Sequence, residues 1–213
     1  RYRVSTFLLS NGMLLSDEEI RRIVQEELVS VHGFSVDGIR SATIESLRIK
    51  SNLKIILNNI EMLKNIRNAE GKSEPRIVIR YAIMRSNIAE LPDAVRYWGE
   101  KGIDAIDCNY LSVCNDISPQ ESLYYHQEIM KQSFHDARTI ALQYPRLALN
   151  LPPTVEDDLK FMNNPKSCRE PFRFVYIDTD GRILPCYLSF GVLVMGNVYD
   201  YAGHSFRKMW NCI

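Results

Sequence analysis

Between residues 4 and 143 the chain alternates four times between a short apolar, β-rich run and a segment of helical periodicity. This alternation is the strongest constraint on the fold. Strand followed by helix, repeated, builds parallel strands joined by right-handed crossovers. Residues 4–10 form the first run, and Asn11-Gly12 closes it as a turn. Ser16 reads as an N-cap, and Glu19 three residues later completes a capping box. Ile20, Ile23, Val24 and Leu28 then recur at helical spacing. A second strand covers about 29–36 and stops at Asp37-Gly38. Leu53, Ile56, Leu57, Ile60, Leu63 and Ile66 make the apolar stripe of a long helix. A third strand, rich in Ile and Val, spans 76–84, and a helix over about 91–101 ends at Gly102. A fourth strand covers about 104–111, and a longer helix fits between Pro119 and Gln143.

Four such units are too few to close a barrel, and an open sheet leaves a raw edge able to pair with another copy. The chain is therefore either a small doubly wound domain or a barrel lacking units at its front. Residues 1–7, Arg-Tyr-Arg-Val-Ser-Thr-Phe, read as a strand rather than a signal peptide, and a chain that starts inside a strand favours the second reading. From about Pro145 the pattern changes. Pro145, Pro152, Pro153, Pro165 and Pro171 punctuate it, and residues 172–177, the turn Asp178-Thr179-Asp180-Gly181 and residues 182–187 make a β-hairpin. A boundary near 145–165 separates an α/β unit, 1–150, from a smaller one, 151–213. The 26 basic and 26 acidic residues balance, which argues against a nucleic-acid surface held by bulk charge. No apolar stretch reaches the length of a membrane span. Five cysteines, an odd number, do not suggest a disulfide framework; they fit a reducing, cytoplasmic setting.

The hairpin carries the most informative spacing. Cys168 precedes Gly181 by thirteen positions, and Cys186 follows after four intervening residues. A tight turn at Gly181 folds the chain so that two thiolates approach one centre, as iron–sulfur clusters require. Two unrelated thiols remain an alternative. So does a zinc site, for which Cys212 and His204 are the nearest further donors.

These residues resemble a known family. Cys168, Gly181-x4-Cys186, Gly196-Asn197-Val198 and Phe206-Arg207-Lys208-Met209-Trp210-Asn211 look like the opening of a SPASM or twitch domain. Such domains follow the catalytic barrel of many radical S-adenosylmethionine (radical SAM) enzymes and bind auxiliary iron–sulfur clusters. The first unit agrees: Leu9-Ser10-Asn11-Gly12-Met13-Leu14-Leu15 is similar to the family's "TNG-LL" segment, and Phe34-Ser35-Val36-Asp37-Gly38 with Arg48 to its "S-DG … R" segment. Asn87, after Met84-Arg85-Ser86, and the strand ending Cys108-Asn109-Tyr110-Leu111 follow in the family's order.

The resemblance implies a partial (βα)6 TIM-like barrel carrying its last four strand–helix units, followed by a SPASM/twitch-like hairpin region. It also implies an Fe–S oxidoreductase that reductively cleaves S-adenosyl-L-methionine to a 5′-deoxyadenosyl radical. Barrel chemistry gathers at the C-terminal ends of the strands. Carried over residue by residue, Ser35 and Arg48 contact the cofactor, Leu111 packs on its adenine, and Asn11, Gly12, Asp37 and Asn87 complete the binding set. Cys168 and Cys186 supply part of an auxiliary [4Fe–4S] site. A peptide or small molecule is the implied substrate, and a flavodoxin or ferredoxin the implied reductant. The sequence departs from the family at one point. No Cys-x3-Cys-x2-Cys run, the ligand set of the radical-generating cluster, is present. Cys108 and Cys114, with five residues between, read as two thiols at a strand end and loop. The 213-residue piece is therefore expected to be inactive alone. A non-catalytic binding or scaffold domain, with zinc or no metal, is the competing reading.

Overall fold

The computed structural model describes residues 4–112, 119–154, 156–157, 173–186 and 193–201. The chain divides into two compact units, Arg1–Leu159 and Lys160–Ile213. In the first, β1 (Phe7–Ser10), β2 (Val31–Ser35), β3 (Arg76–Ile83), β4 (Ala105–Tyr110) and β5 (Ala148–Asn150) form one sheet. All neighbouring strands are parallel and the order is β1-β2-β3-β4-β5. Crossovers are made by α1 (Asp17–Gln25), by α2 (Ser41–Leu47) with α3 (Leu53–Ala69), by α4 (Leu91–Glu100), and by α5 (Gln127–Ala141). Sequential parallel strands with helical crossovers are the arrangement of a partial TIM-like barrel.

The helices pack on one face of the sheet. Strand residues Phe34, Ile77, Ile79, Tyr81, Ile83 and Ile106, all 1% exposed or less, meet Ile20, Ile56, Leu63, Val95, Trp98 and Phe134 in a single core. Each such side chain contributes roughly 2–3 kcal/mol by leaving water. Alternation along a strand sends Gly33, Ser35, Val78, Arg80, Ala105 and Asp107 to the opposite face.

The four expected strands are present, and β5 joins them as a fifth. It is only three residues long and follows Pro145, so neither length nor periodicity marks it in the sequence. The capping box at α1 forms in full: Glu19 N donates to Ser16 Oγ at 3.3 Å, and Ser16 N donates to Glu19 Oε2 at 2.8 Å. That helix ends at Gln25, so Leu28 lies beyond it and is 45% exposed. The segment after Pro119 is made of short 3-10 turns, and the helix proper starts at Gln127. The short α2 does not stand out in the sequence.

In the second unit β6 (Tyr176–Ile177), β7 (Arg182–Leu184) and β8 (Gly196–Asn197) form an antiparallel three-stranded sheet. The Gly196-Asn197 pair is the third strand of this sheet. No helix among the described residues is long and apolar enough to cross a membrane.

Candidate functional site

The sequence places its candidate residues at the C-terminal ends of the strands, and the structure shows what each one holds there. After β1, Asn11 Oδ1 accepts from Met13 N at 3.0 Å, and Ser10 Oγ accepts from Gly12 N at 3.2 Å. The loop is fixed from α3. Buried Asn59 donates through Nδ2 to Gly12 O at 2.8 Å and to Leu15 O at 3.2 Å.

After β2, half-buried Ser35 precedes a buried polar network. Asp37 is 3% exposed. Its Oδ1 accepts from Ala82 N at 2.8 Å, and its Oδ2 accepts from both Nε and Nη2 of Arg48 at 2.6 Å. Asn87, fully buried, donates through Nδ2 to Asp37 O at 3.0 Å and to Ala82 O at 2.8 Å, while its Oδ1 accepts from Met84 N at 2.9 Å. The whole Asn87 amide is thus committed to backbone, the condition a buried amide must meet. Asp37, Arg48 and Asn87, far apart in sequence, come together. Leu111 is half-buried just past β4, its N–H donating to Ile83 O at 3.1 Å.

One residue that sequence reasoning missed holds this network. Glu90, 5% exposed, accepts from Ile39 N and from Arg40 N, the latter at 2.9 Å, through Oε1. Its Oε2 accepts from Thr43 Oγ1 at 2.6 Å. This carboxylate holds the two amides that lead into α2 and a hydroxyl of its first turn, and it does the work of a cap from 50 residues away. No local spacing could reveal it.

On β3, Tyr81 is fully buried on the helix side, its hydroxyl donating to Asn87 O at 3.3 Å. Tyr110 donates to Pro153 O at 2.6 Å. Arg80 and Asn109 alternate with them and lie on the other face. Cys108 is 5% exposed in the helix-packed core, and burial pushes its thiol up to about 12. It is a protonated core residue. Cys114 lies outside the described residues.

The hairpin unit explains its own motif. Asp178 Oδ1 accepts from the N–H groups of Asp180 and Arg182 at 3.0 and 2.9 Å, and Arg182 Nε donates to Asp178 Oδ2 at 2.7 Å. Gly181 has φ +78, the left-handed region, and a Cβ there would lie 2.7 Å from the Tyr199 ring and 3.0 Å from Asn197 Oδ1. Asn197 Nδ2 donates to Asp180 O at 3.1 Å, and Val198 N to Gly181 O at 2.8 Å, tying β8 to the turn. Cys186 is half-buried two residues past β7. Cys168, Cys212, His204 and residues 206–211 lie outside the described residues. Among the described residues no group of three or more His, Cys, Asp or Glu is gathered as a metal site.

Residues 168–212, which span Cys168, Cys186 and Cys212, match the SPASM family, an iron–sulfur cluster-binding domain. That match lies within the second unit, and the chain as a whole shares the fold of the radical SAM enzymes. Of the solved structures it is similar to, SuiB from Streptococcus suis superposes with a TM-score of 0.71 at 15% identity, covering 97% of this chain and 49% of that one. SuiB bound to its precursor peptide SuiA gives 0.63 at 12% identity, covering 97% and 47%. The enzyme anSMEcpe with bound AdoMet gives 0.57 at 17% identity, covering 91% and 51%. The chain thus spans about half the length of these proteins. At such identities the superpositions establish the fold. A comparison with curated proteins gives no significant sequence match.

Two sets of side chains bear on ligand binding. Ser35 and Leu111 offer a hydroxyl and an apolar side chain at the ends of β2 and β4, and Arg48, at the C-terminal end of α2, a partly exposed guanidinium. That combination suits a ligand with a carboxylate, a ribose and an adenine. The SPASM match spans Cys186 together with Cys168 and Cys212 in sequence.

Proposed function

We propose that the protein belongs to a radical SAM enzyme that modifies a peptide, with the first unit contributing to the S-adenosylmethionine site and the second holding an auxiliary [4Fe–4S] cluster. The SPASM match over residues 168–212 carries this reading. The fold shared with SuiB, solved with a precursor peptide, and with anSMEcpe, solved with AdoMet, supports it. When bound and reduced, an iron–sulfur cluster would supply the electron for reductive cleavage of S-adenosylmethionine.

The chain's own residues have positioning work in this reading. Arg48 binds the cofactor carboxylate or ribose while Asp37 fixes its guanidinium. Ser35 donates to the cofactor, Leu111 covers its adenine, and Asn11 and Gly12 border the same end of the sheet. Asn87 acts by holding the loop that carries Asp37. Cys168 and Cys186 ligate the auxiliary cluster, and a one-electron donor of the flavodoxin or ferredoxin class completes the scheme. No Cys-x3-Cys-x2-Cys run occurs in the sequence, so residues 1–213 by themselves do not start the radical.

The test is iron and acid-labile sulfide per chain after anaerobic reconstitution, with an absorption spectrum. Iron that disappears in Cys168→Ala and in Cys186→Ala is the expected result. Zinc without sulfide overturns the cluster reading in favour of a structural metal site. The same preparation, given S-adenosylmethionine and dithionite, is expected to form no 5′-deoxyadenosine. Its formation would show that these residues suffice.

A further inference from the structure

The face of the sheet opposite the helices carries a continuous polar string. Register places Ser35, Arg80, Asp107 and Asn150 side by side across β2, β3, β4 and β5. Arg80 Nη1 donates to Asp107 Oδ2 at 3.0 Å, and Asn150 Nδ2 donates to Asp107 Oδ1 at 2.6 Å. From the other side the Phe7 ring of β1 lies 5.9 Å from the guanidinium carbon. Gly33 permits that reach, since a Cβ there would come within 2.8 Å of Phe7 Cζ. The neighbouring row on this face is small: Gly33, Ala105 and Ala148, with Val78. The string therefore has room above it, and it is not buried. The Arg80 and Asp107 side chains are 34% and 24% exposed, and Asn150 is exposed.

The chemistry of the string is selective. Asp107 neutralises Arg80, so no net positive charge is offered to an incoming anion. Both carboxylate oxygens of Asp107 are engaged, which leaves it unsuited to binding a cation or moving a proton. A carboxylate only accepts, so Asn150 must present Nδ2 to it and turn Oδ1 outward. What faces the open side is a set of fixed donors on Arg80 beside an acceptor on Asn150, held by the sheet itself.

We propose that Arg80 and Asn150, set by Asp107, bind an amide group of the substrate, a peptide bond or a side-chain carboxamide, in preference to a carboxylate. This deepens the peptide reading above and rests on it. An amide offers one acceptor and one donor, which match the two groups in kind. A carboxylate would meet a neutralised guanidinium and the outward Asn150 oxygen, which repels it.

The test uses the full 213-residue chain and two probes, N-acetylglycinamide and acetate, titrated while the side-chain amide signals of Asn150 and the Arg80 Nε–H signal are followed by NMR. The amide probe is expected to move both signals saturably, and acetate to move neither. Asn150→Leu should weaken amide binding about tenfold, the loss of roughly one hydrogen bond. Asp107→Asn, which keeps the shape and releases the charge of Arg80, should reverse the preference toward acetate. The proposal is overturned if acetate binds the unmodified chain as well as the amide, if neither probe binds, or if Asp107→Asn leaves the preference unchanged. Iron loading, measured separately, distinguishes its failure from that of the wider functional reading.

Discussion

Acid should destabilise this protein through one residue, His32. The imidazole is fully buried on β2 and stacked on Phe34, ring centroids 4.2 Å apart and planes 7° from parallel. Nε2 meets Ser10 Oγ at 3.1 Å, and Nδ1 is buried with no hydrogen-bond partner among the described residues. A protonated ring has two N–H donors and here finds an acceptor for one at most. Burial therefore holds its pKa down to about 4. In the unfolded chain the same group titrates near 6.5, so the unfolded state binds the proton first as pH falls. Stability is complete above about pH 6.5 and is lost on the way down to about 4. The slope is ~1.4 kcal/mol per pH unit, so about 2 kcal/mol is gone at about pH 5 and about 3 kcal/mol by the lower end. For a chain of this size 2 kcal/mol lowers Tm by roughly 4–8 °C. Urea unfolding of the wild type and of His32→Phe, each at about pH 7 and about pH 5, reads the effect directly. The variant keeps a flat ring against Phe34 and has nothing to titrate, so it should lose about 2 kcal/mol less. Equal losses in the two proteins would refute the assignment and shift acid sensitivity to other groups.

Two other substitutions probe the supports of the candidate site. Glu90→Ala removes the acceptor for Ile39 N, Arg40 N and Thr43 Oγ1, and should cost roughly 2–4 kcal/mol in chemical unfolding. Glu90→Gln, which retains an acceptor oxygen, should cost less, and equal costs would mean that the charge on the α2 amides is irrelevant. Gly181→Ala forces a Cβ toward Tyr199 and Asn197 in a left-handed conformation. It should cost roughly 1–3 kcal/mol within the second unit, seen as faster hydrogen exchange at Arg182–Leu184 with β1 to β4 unaffected. Unchanged exchange there would show that the turn tolerates a side chain.

The strands were legible because parallel strands packed under helices are rich in apolar, β-branched residues, and residues 76–84, with three Ile and a Val, are such a run. What the sequence concealed depends on partners far along the chain. The helix α2 has no N-terminal side-chain cap of its own, because Glu90 supplies the acceptor. The strand β5 exists through its pairing with β4, and three residues carry no period. Asn59 and His32 passed unnoticed for a related reason. A polar residue inside an apolar pattern reads as noise until its partners, the Gly12 and Leu15 carbonyls or Ser10, are seen.

The candidate site was legible in a different sense. Gly12, Asp37, Asn87, Gly181 and Asn197 were singled out by motif, and in the structure each meets a backbone requirement of the loop in which it stands. Motifs of this kind mark loop architecture first, because removing a buried amide or carboxylate that stitches two loops leaves its backbone partners unsatisfied. Residues that would touch a ligand, such as Ser35 and Leu111, are half-buried and carry no comparable obligation to the fold. The Arg80–Asp107–Asn150 string lies between these cases. Its members stand on three different strands at positions that alternate with core residues, so no sequence spacing joins them. Only the register of the parallel sheet does, and that register is fixed by the apolar residues on the other face. The packing of the core thus sets the geometry of the polar face, and a substitution such as Ile106→Ala is expected to disturb both together.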